Sequence, residues 1–203
     1  MKRLLSLFLV CLLLLAGCAT GPEPVLSDML GTHTENAYTS PFGFSIDTSG
    51  MYVFAPEDLA SVNILEEFTA EALMTRISEG SAVTVFAATP GEDASISLSL
   101  FPAAELPKGI ETAADYAEYG LSMMSEKFKD AGYTDCRTQL VDIKLEDGTH
   151  PALLCSASMA EGNPYHLLQI CFREGDWLGS LSMSSTESEE ALRELLILVT
   201  PTN

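Results

Sequence analysis

Apolar and polar residues follow two periods along this chain, and the places where the period changes mark the elements. Between Tyr38 and Ile46 the apolar Phe42, Phe44 and Ile46 alternate with Gly43 and Ser45, which predicts a strand. A turn at Asp47–Gly50 leads to a short strand over Met51–Phe54. The pattern then becomes helical. Pro56 can occupy a first helical turn at no cost, Glu57 and Asp58 suit the positive helix end, and the stretch runs to about Ser78, broken near Asn63, with Gly80 as a stop. Two further strands are predicted over 82–87 and 95–101. In the second, Ile96, Leu98 and Leu100 alternate with Ser95, Ser97 and Ser99, and Thr89-Pro90-Gly91 supplies the link.

The clearest helix is predicted over Thr112–Ala131. Ala113, Tyr116, Ala117, Gly120, Leu121, Met124, Phe128 and Ala131 share one face, and Gly132 ends it. Four strands follow, over 133–146, 151–160, 164–174 and 176–185. A link at Asp147-Gly148-Thr149 sets Val141 opposite Cys155 and Ile143 opposite Leu153. A turn at Gly162-Asn163 sets Cys155 opposite Ile170, and one at Gly175-Asp176 sets Ile170 opposite Leu181. Val141, Ile143, Leu153, Cys155, Ala157, Leu168, Ile170, Phe172, Leu181 and Met183 then share one face of an antiparallel meander. Thr186-x-x-Glu189 is a capping box for a last helix that ends near Val199 and Pro201. The expected fold is α+β: an antiparallel sheet of about six to eight strands, closing on a four-strand meander and packed with about three helices.

The first 35 residues stand apart. Lys2 and Arg3 precede an apolar run from Leu4 to Leu15, and Leu15-Ala16-Gly17-Cys18 has the form of a lipobox. The run is shorter than the ~20 apolar residues that a membrane-spanning helix needs. The expectation is a signal peptide over 1–17, lipidation of Cys18, a flexible tether over 18–35, and one α+β domain over 36–203. Two acyl chains suffice for a stable anchor, since each buried methylene contributes ~0.8 kcal/mol.

Charge narrows the partners. The chain carries a formal −19; loss of Lys2 and Arg3 with the leader leaves eight basic against 29 acidic residues, or −21. Such a surface argues against nucleic acid, whose phosphates call for Lys and Arg, and against anionic headgroups. It suits solubility, attraction of cations, or a basic partner. Apolar residues are plentiful and patterned, so the acidity does not signal disorder. Beyond Cys18 the mature cysteines are Cys136, Cys155 and Cys171. The predicted registers send Cys136 and Cys171 to one face on non-adjacent strands and Cys155 to the other, so no disulfide is expected.

The element order, the opening Tyr38-Thr39-Ser40-Pro41-Phe42-Gly43-Phe44, the Pro-started acidic helix and Ser184-Ser185-Thr186-Glu187 before the last helix resemble the PsbP/Mog-like domains. Among these, the chain is similar to the small surface lipoproteins of clostridial-type Gram-positive bacteria. The likeness spans about 36–199. It departs where such domains often have Gly-Trp: here the residues are Gly50-Met51-Tyr52, and the single Trp is Trp177. The resemblance implies an α/β/α sandwich and a binding or accessory module rather than an enzyme. It transfers no site residue, because fold does not fix function.

The residues themselves offer no catalytic, cofactor or metal motif. His33, His150 and His166 lack zinc spacing, and there is no G-x-S-x-G, S-x-x-K or Gly-rich phosphate loop. Cys155 reads as buried and inert, Cys136 and Cys171 as thiols that could be exposed. Glu66, Glu67 and Glu71 crowd one stretch of the first helix, where a divalent cation could relieve their repulsion, although a solvated helix face explains them as well. The expectation is a non-enzymatic accessory or protein-binding module, lipid-anchored on the outer membrane face beside an envelope protein partner. The alternative is a receptor for a small ligand or divalent cation, for which a deep pocket lined by Trp177 or the tyrosines would be the sign.

Overall fold

The computed structural model describes residues 31–54, 82–91, 93–103, 106–130, 132–158 and 162–202. Cys18, the helix expected over 56–78 and its Glu66, Glu67 and Glu71 lie outside the described residues.

Eleven strands and two helices are described. In chain order they are β1 (Thr32–His33), β2 (Ala37–Thr39), β3 (Phe44–Asp47), β4 (Tyr52–Phe54), β5 (Ala82–Ala88), β6 (Ala94–Pro102), α1 (Ala113–Asp130), β7 (Thr134–Leu145), β8 (Gly148–Ser158), β9 (Pro164–Glu174), β10 (Trp177–Ser185), α2 (Glu189–Ile197) and β11 (Val199–Pro201). The strands form two antiparallel sheets. The larger has seven strands in the order β4-β5-β6-β10-β9-β8-β7, and the smaller has four in the order β1-β2-β3-β11. The α+β class and the C-terminal four-strand meander are as the periodicity predicts.

Three differences concern the smaller sheet. The single strand expected over Tyr38–Ile46 is a hairpin, because Pro41 cannot donate to a ladder and Gly43, at φ 83°, takes the left-handed turn conformation. The hydroxyl of Ser40 accepts from the Phe42 N–H at 3.0 Å and holds the turn. β1 falls within the stretch read as tether and pairs with β2, setting Thr32 across from Thr39. The residues after the last helix form a strand, with Val199 across from Ile46 and Pro201 across from Phe44. Pro201 is tolerated because β11 lies at a sheet edge.

Hydrophobic burial holds three layers together. The smaller sheet and α2 cover one face of the larger sheet, α1 the other. Between the sheets lie Tyr38, Phe42, Phe44 and Ile46 against Ile96, Leu98, Ile170, Phe172, Leu181 and Met183, with Leu192 and Leu195 of α2. Each such side chain contributes roughly 1.5–3 kcal/mol of burial free energy. Gly179 leaves room for this packing: a Cβ there would stand 2.6 Å from the Phe42 ring. Under α1, Met124 and Phe128 meet Tyr133, Leu153, Cys155, Tyr165 and Leu167.

The meander register corrects two of the three predicted pairings. β9 and β10 pair as expected, Ile170 opposite Leu181 and Leu168 opposite Met183. The β7–β8 link is two residues, Glu146-Asp147, so Val141 faces Ala152 rather than Cys155, and Ile143 faces His150. The β8–β9 link spans 159–163, so Ile170 faces Ala152 rather than Cys155. Each correction is a shift of three, an odd number, and an odd shift turns a strand over. Leu153, Cys155 and Ala157 therefore face α1, and Ala152 and Leu154 take the inter-sheet face. At β7 the two odd shifts cancel, which leaves Val141 and Ile143 on the predicted face.

Candidate functional site

One concave feature stands out among the described residues: an open groove of about 710 Å³ between α2 with β11 on one side and the β7–β8 hairpin on the other. Its floor is the sheet: Phe44 of β3 and Leu168 of β9, both buried, and half-buried Leu154 of β8. The wall from β7 is Val141, Ile143 and Leu145, the inward positions of a period-two strand. The opposite wall is Leu192 and Leu196, four apart on one face of α2, with the neighbouring Ile197 at the helix end, followed by Val199 and Pro201. Ile197 is 77% exposed, an unusual position for isoleucine. The rim is charged: Lys144, Glu146 and Asp147 at the hairpin, Glu189, Glu190 and Arg193 on α2.

The local sequence explains why α2 sits where it does. The cap is Ser188, whose hydroxyl accepts from the Ala191 N–H at 3.3 Å, and not Thr186, as the capping-box spacing predicts. Thr186 instead donates its backbone N–H to the Asp93 carbonyl at 2.8 Å, tying the helix entry to the start of β6. Glu189 accepts a hydrogen bond from the Ser156 hydroxyl at 2.9 Å and stands 4.0 Å from Nδ1 of His166, so α2 is also tied to β8 and β9.

The other residues singled out in the sequence are dispersed. The ring of His33 packs tilted against Tyr38, ring centroids 4.8 Å apart. His150 lies 3.0 Å from Oδ1 of Asp147 and packs on Phe172, far from His33 in the chain and on a different sheet. Trp177 is buried in the inter-sheet core, and the groove is lined by neither Trp177 nor any tyrosine. No group of three or more His, Cys, Asp or Glu residues among the described residues could hold a metal. The three thiols are free. Cys171 is fully buried rather than exposed, and burial pushes its thiol up to about 12. Burial likewise raises Cys155 to about 11, although the Thr138 hydroxyl donates to its sulfur at 3.4 Å. Cys136 is half-buried and is also raised by burial.

The sequence reading missed a polar interior. Ser95, Ser97 and Ser99 of β6 stand across from Ser184, Ser182 and Ser180 of β10, and all six are buried on the face opposite the inter-sheet core. Ser95 and Ser184 share a hydrogen bond of 2.8 Å. Gln169, across from Ser182 on β9, is 2% exposed, and its Oε1 has no hydrogen-bond partner among the described residues. Strict alternation could reveal the polar stripe but not its burial.

No known protein family matches the chain in sequence, and no curated protein matches it. Solved structures do. Cyanobacterial PsbP of Synechocystis sp. PCC 6803 is similar over 91% of this chain and 98% of its own, at 10% identity and a TM-score of 0.48. LpqN of Mycobacterium tuberculosis, described as involved in cell envelope biogenesis, is similar over 62% of this chain and 80% of its own, at 10% identity and a TM-score of 0.36. A Pseudomonas aeruginosa protein of unknown function, PA94, is similar over 51% of this chain and 66% of its own, at 17% identity and a TM-score of 0.37.

Proposed function

We propose that this chain is a non-catalytic, lipid-anchored module on the outer face of a membrane, which binds another envelope protein through the groove between α2 and the β7–β8 hairpin. The observation that carries the binding reading is the apolar lining of that groove, open to solvent and rimmed by charge. Exposed apolar surface of this kind, ringed by polar groups, is what protein interfaces share. The anchor rests on the order of the leader: two cations, an apolar run, and small residues directly before Cys18.

The test is a photo-crosslinking amino acid placed at Ile197 in cells of the source bacterium, with Glu126 on the exposed side of α1 as the control position. The expected result is one discrete protein adduct from position 197 and none from 126. Equal or absent adducts at both positions would remove the groove reading. A Cys18→Ala form should move from the membrane fraction to the soluble one; retention in the membrane would remove the anchor.

A further inference from the structure

We propose that the outer edge of β7 takes an extended, basic segment of the partner protein as an added strand, with alternate apolar side chains seated in the groove. This rests on the protein-binding reading above and specifies the chemistry of what binds. Among the described residues β7 is a terminal strand of the seven-stranded sheet and pairs only with β8. It is 12 residues long, and none of them is buried. A row of backbone donors and acceptors along such an edge is a template for a further strand. A bulge between Thr134 and Arg137, with Asp135 at φ 52°, twists the first part away. From Arg137 to Leu145 the ladder is regular.

Both faces of that regular stretch carry a depression. On the inter-sheet side is the groove, with Val141, Ile143 and Leu145 in its wall. On the α1 side is a smaller one of about 270 Å³, where Leu140 is 43% exposed beside Ala114, Ala117 and Glu118. An added strand lies about 4.8 Å from β7 and sends successive side chains to opposite faces, so every second one enters the groove and the others pass Leu140.

Charge selects the occupant. The basic side chains of an alternating strand fall on the α1 face, where the depression is lined by Glu118 and Asp142 and by no basic residue, and the groove rim beside its apolar face carries four acids against two bases. The whole chain stands at −19. A second copy would bring an equal negative charge against the first, so an edge-to-edge dimer is opposed, while Lys or Arg at alternate positions of a partner strand is drawn in.

The test uses the full chain in detergent and a fluorescent, end-blocked heptapeptide of alternating lysine and valine, read by anisotropy. The expected result is binding at least about tenfold tighter than to the glutamate–valine counterpart, weakening as salt rises. Ile197→Ser, at a position too exposed to threaten folding, removes apolar wall without adding charge and should weaken binding of the lysine–valine peptide at least about threefold, and N-methylation of alternate peptide residues should abolish it. Equal binding of the two peptides, or no binding, would overturn the proposal, as would indifference to N-methylation. So would self-association of the chain that Ile197→Asp dissolves, which would mark a second copy as the occupant. If the peptides fail while position 197 still traps one protein in cells, the strand-addition proposal falls and the protein-binding reading stands. If both fail, both fall.

Discussion

A cysteine reacts as its thiolate, and a thiolate forms only where water or a cation can stabilise it. The three described thiols differ in this respect. Cys171 has no exposed surface and Cys155 has none, and burial raises both far above the ordinary thiol range. Cys136 sits on the open strand β7, with the Lys129 charge working against its desolvation. Maleimide at pH 7.5 should therefore label Cys136 at least about tenfold faster than Cys155 or Cys171, which should react only in denaturant. Peptide mapping by mass spectrometry checks this; prompt labelling of Cys171 in the native chain would contradict its burial. The sequence could place Cys155 in the interior, because its neighbours alternate. It could not place Cys171, whose burial depends on α1 crossing β9 and β10, where Tyr116 and Ala117 pack against Cys171 and Leu178.

At the scale of elements, short polar signals decide where helices begin and end. α1 begins at a reciprocal cap: the Thr112 hydroxyl accepts from the Asp115 N–H at 3.1 Å, and Asp115 accepts from the Thr112 N–H at 2.8 Å and its hydroxyl at 2.7 Å. It stops at Gly132, where the Gly132 and Tyr133 N–H groups donate back to Lys129 and Phe128, both at 2.9 Å. Thr112→Ala should cost about 1 kcal/mol of unfolding free energy at pH 7, read by urea denaturation. The Asp115 carboxyl is held below its ordinary value, first by the Thr112 hydroxyl and then by the backbone N–H groups of Glu111 and Thr112. Its contribution is thus present above the unfolded pKa of about 3.9 and is lost as pH falls through the lowered folded value. The penalty of Thr112→Ala should accordingly shrink between pH 5 and pH 2; a constant penalty would show that the carboxylate takes no part. The start at Thr112 and the stop at Gly132 were both legible in the sequence. The cap of α2 was not: Thr186-x-x-Glu189 predicts Thr186, and the cap is Ser188. The Thr186 N–H is held instead by the Asp93 carbonyl, a bond between residues far apart in the chain.

At the scale of the whole molecule, the charge that excludes some partners also strains the fold. A net −19 on one chain is self-repulsive, and salt screens it over about 10 Å at 0.1 M. The melting temperature should therefore rise when sodium chloride goes from 10 to 200 mM, and the same rise with a magnesium salt at equal ionic strength would show general screening rather than a cation site. A flat response would mean that the acids are spread widely enough not to interact. The groove belongs to this scale too. Its walls come from β7 and, more than 40 residues on, from α2 and β11, with Phe44 from about 100 residues earlier in the floor.

Local periodicity by itself determined the strands of the larger sheet and the two described helices, because a side chain's face repeats every two residues in a strand and every 3.6 in a helix whatever lies elsewhere. Composition and residue order likewise determined the acidic character and the leader pattern ahead of Cys18, and turn positions the antiparallel meander. Tertiary structure alone decided which face each strand of the meander shows, because a link longer or shorter by one residue turns a strand over without altering its own pattern. It alone decided that the strands within 32–47 and β11 meet in a second sheet, and that six serines lie buried across from one another. And it alone made the groove, since a concave apolar surface exists only where elements distant in sequence come together and leave part of their burial incomplete.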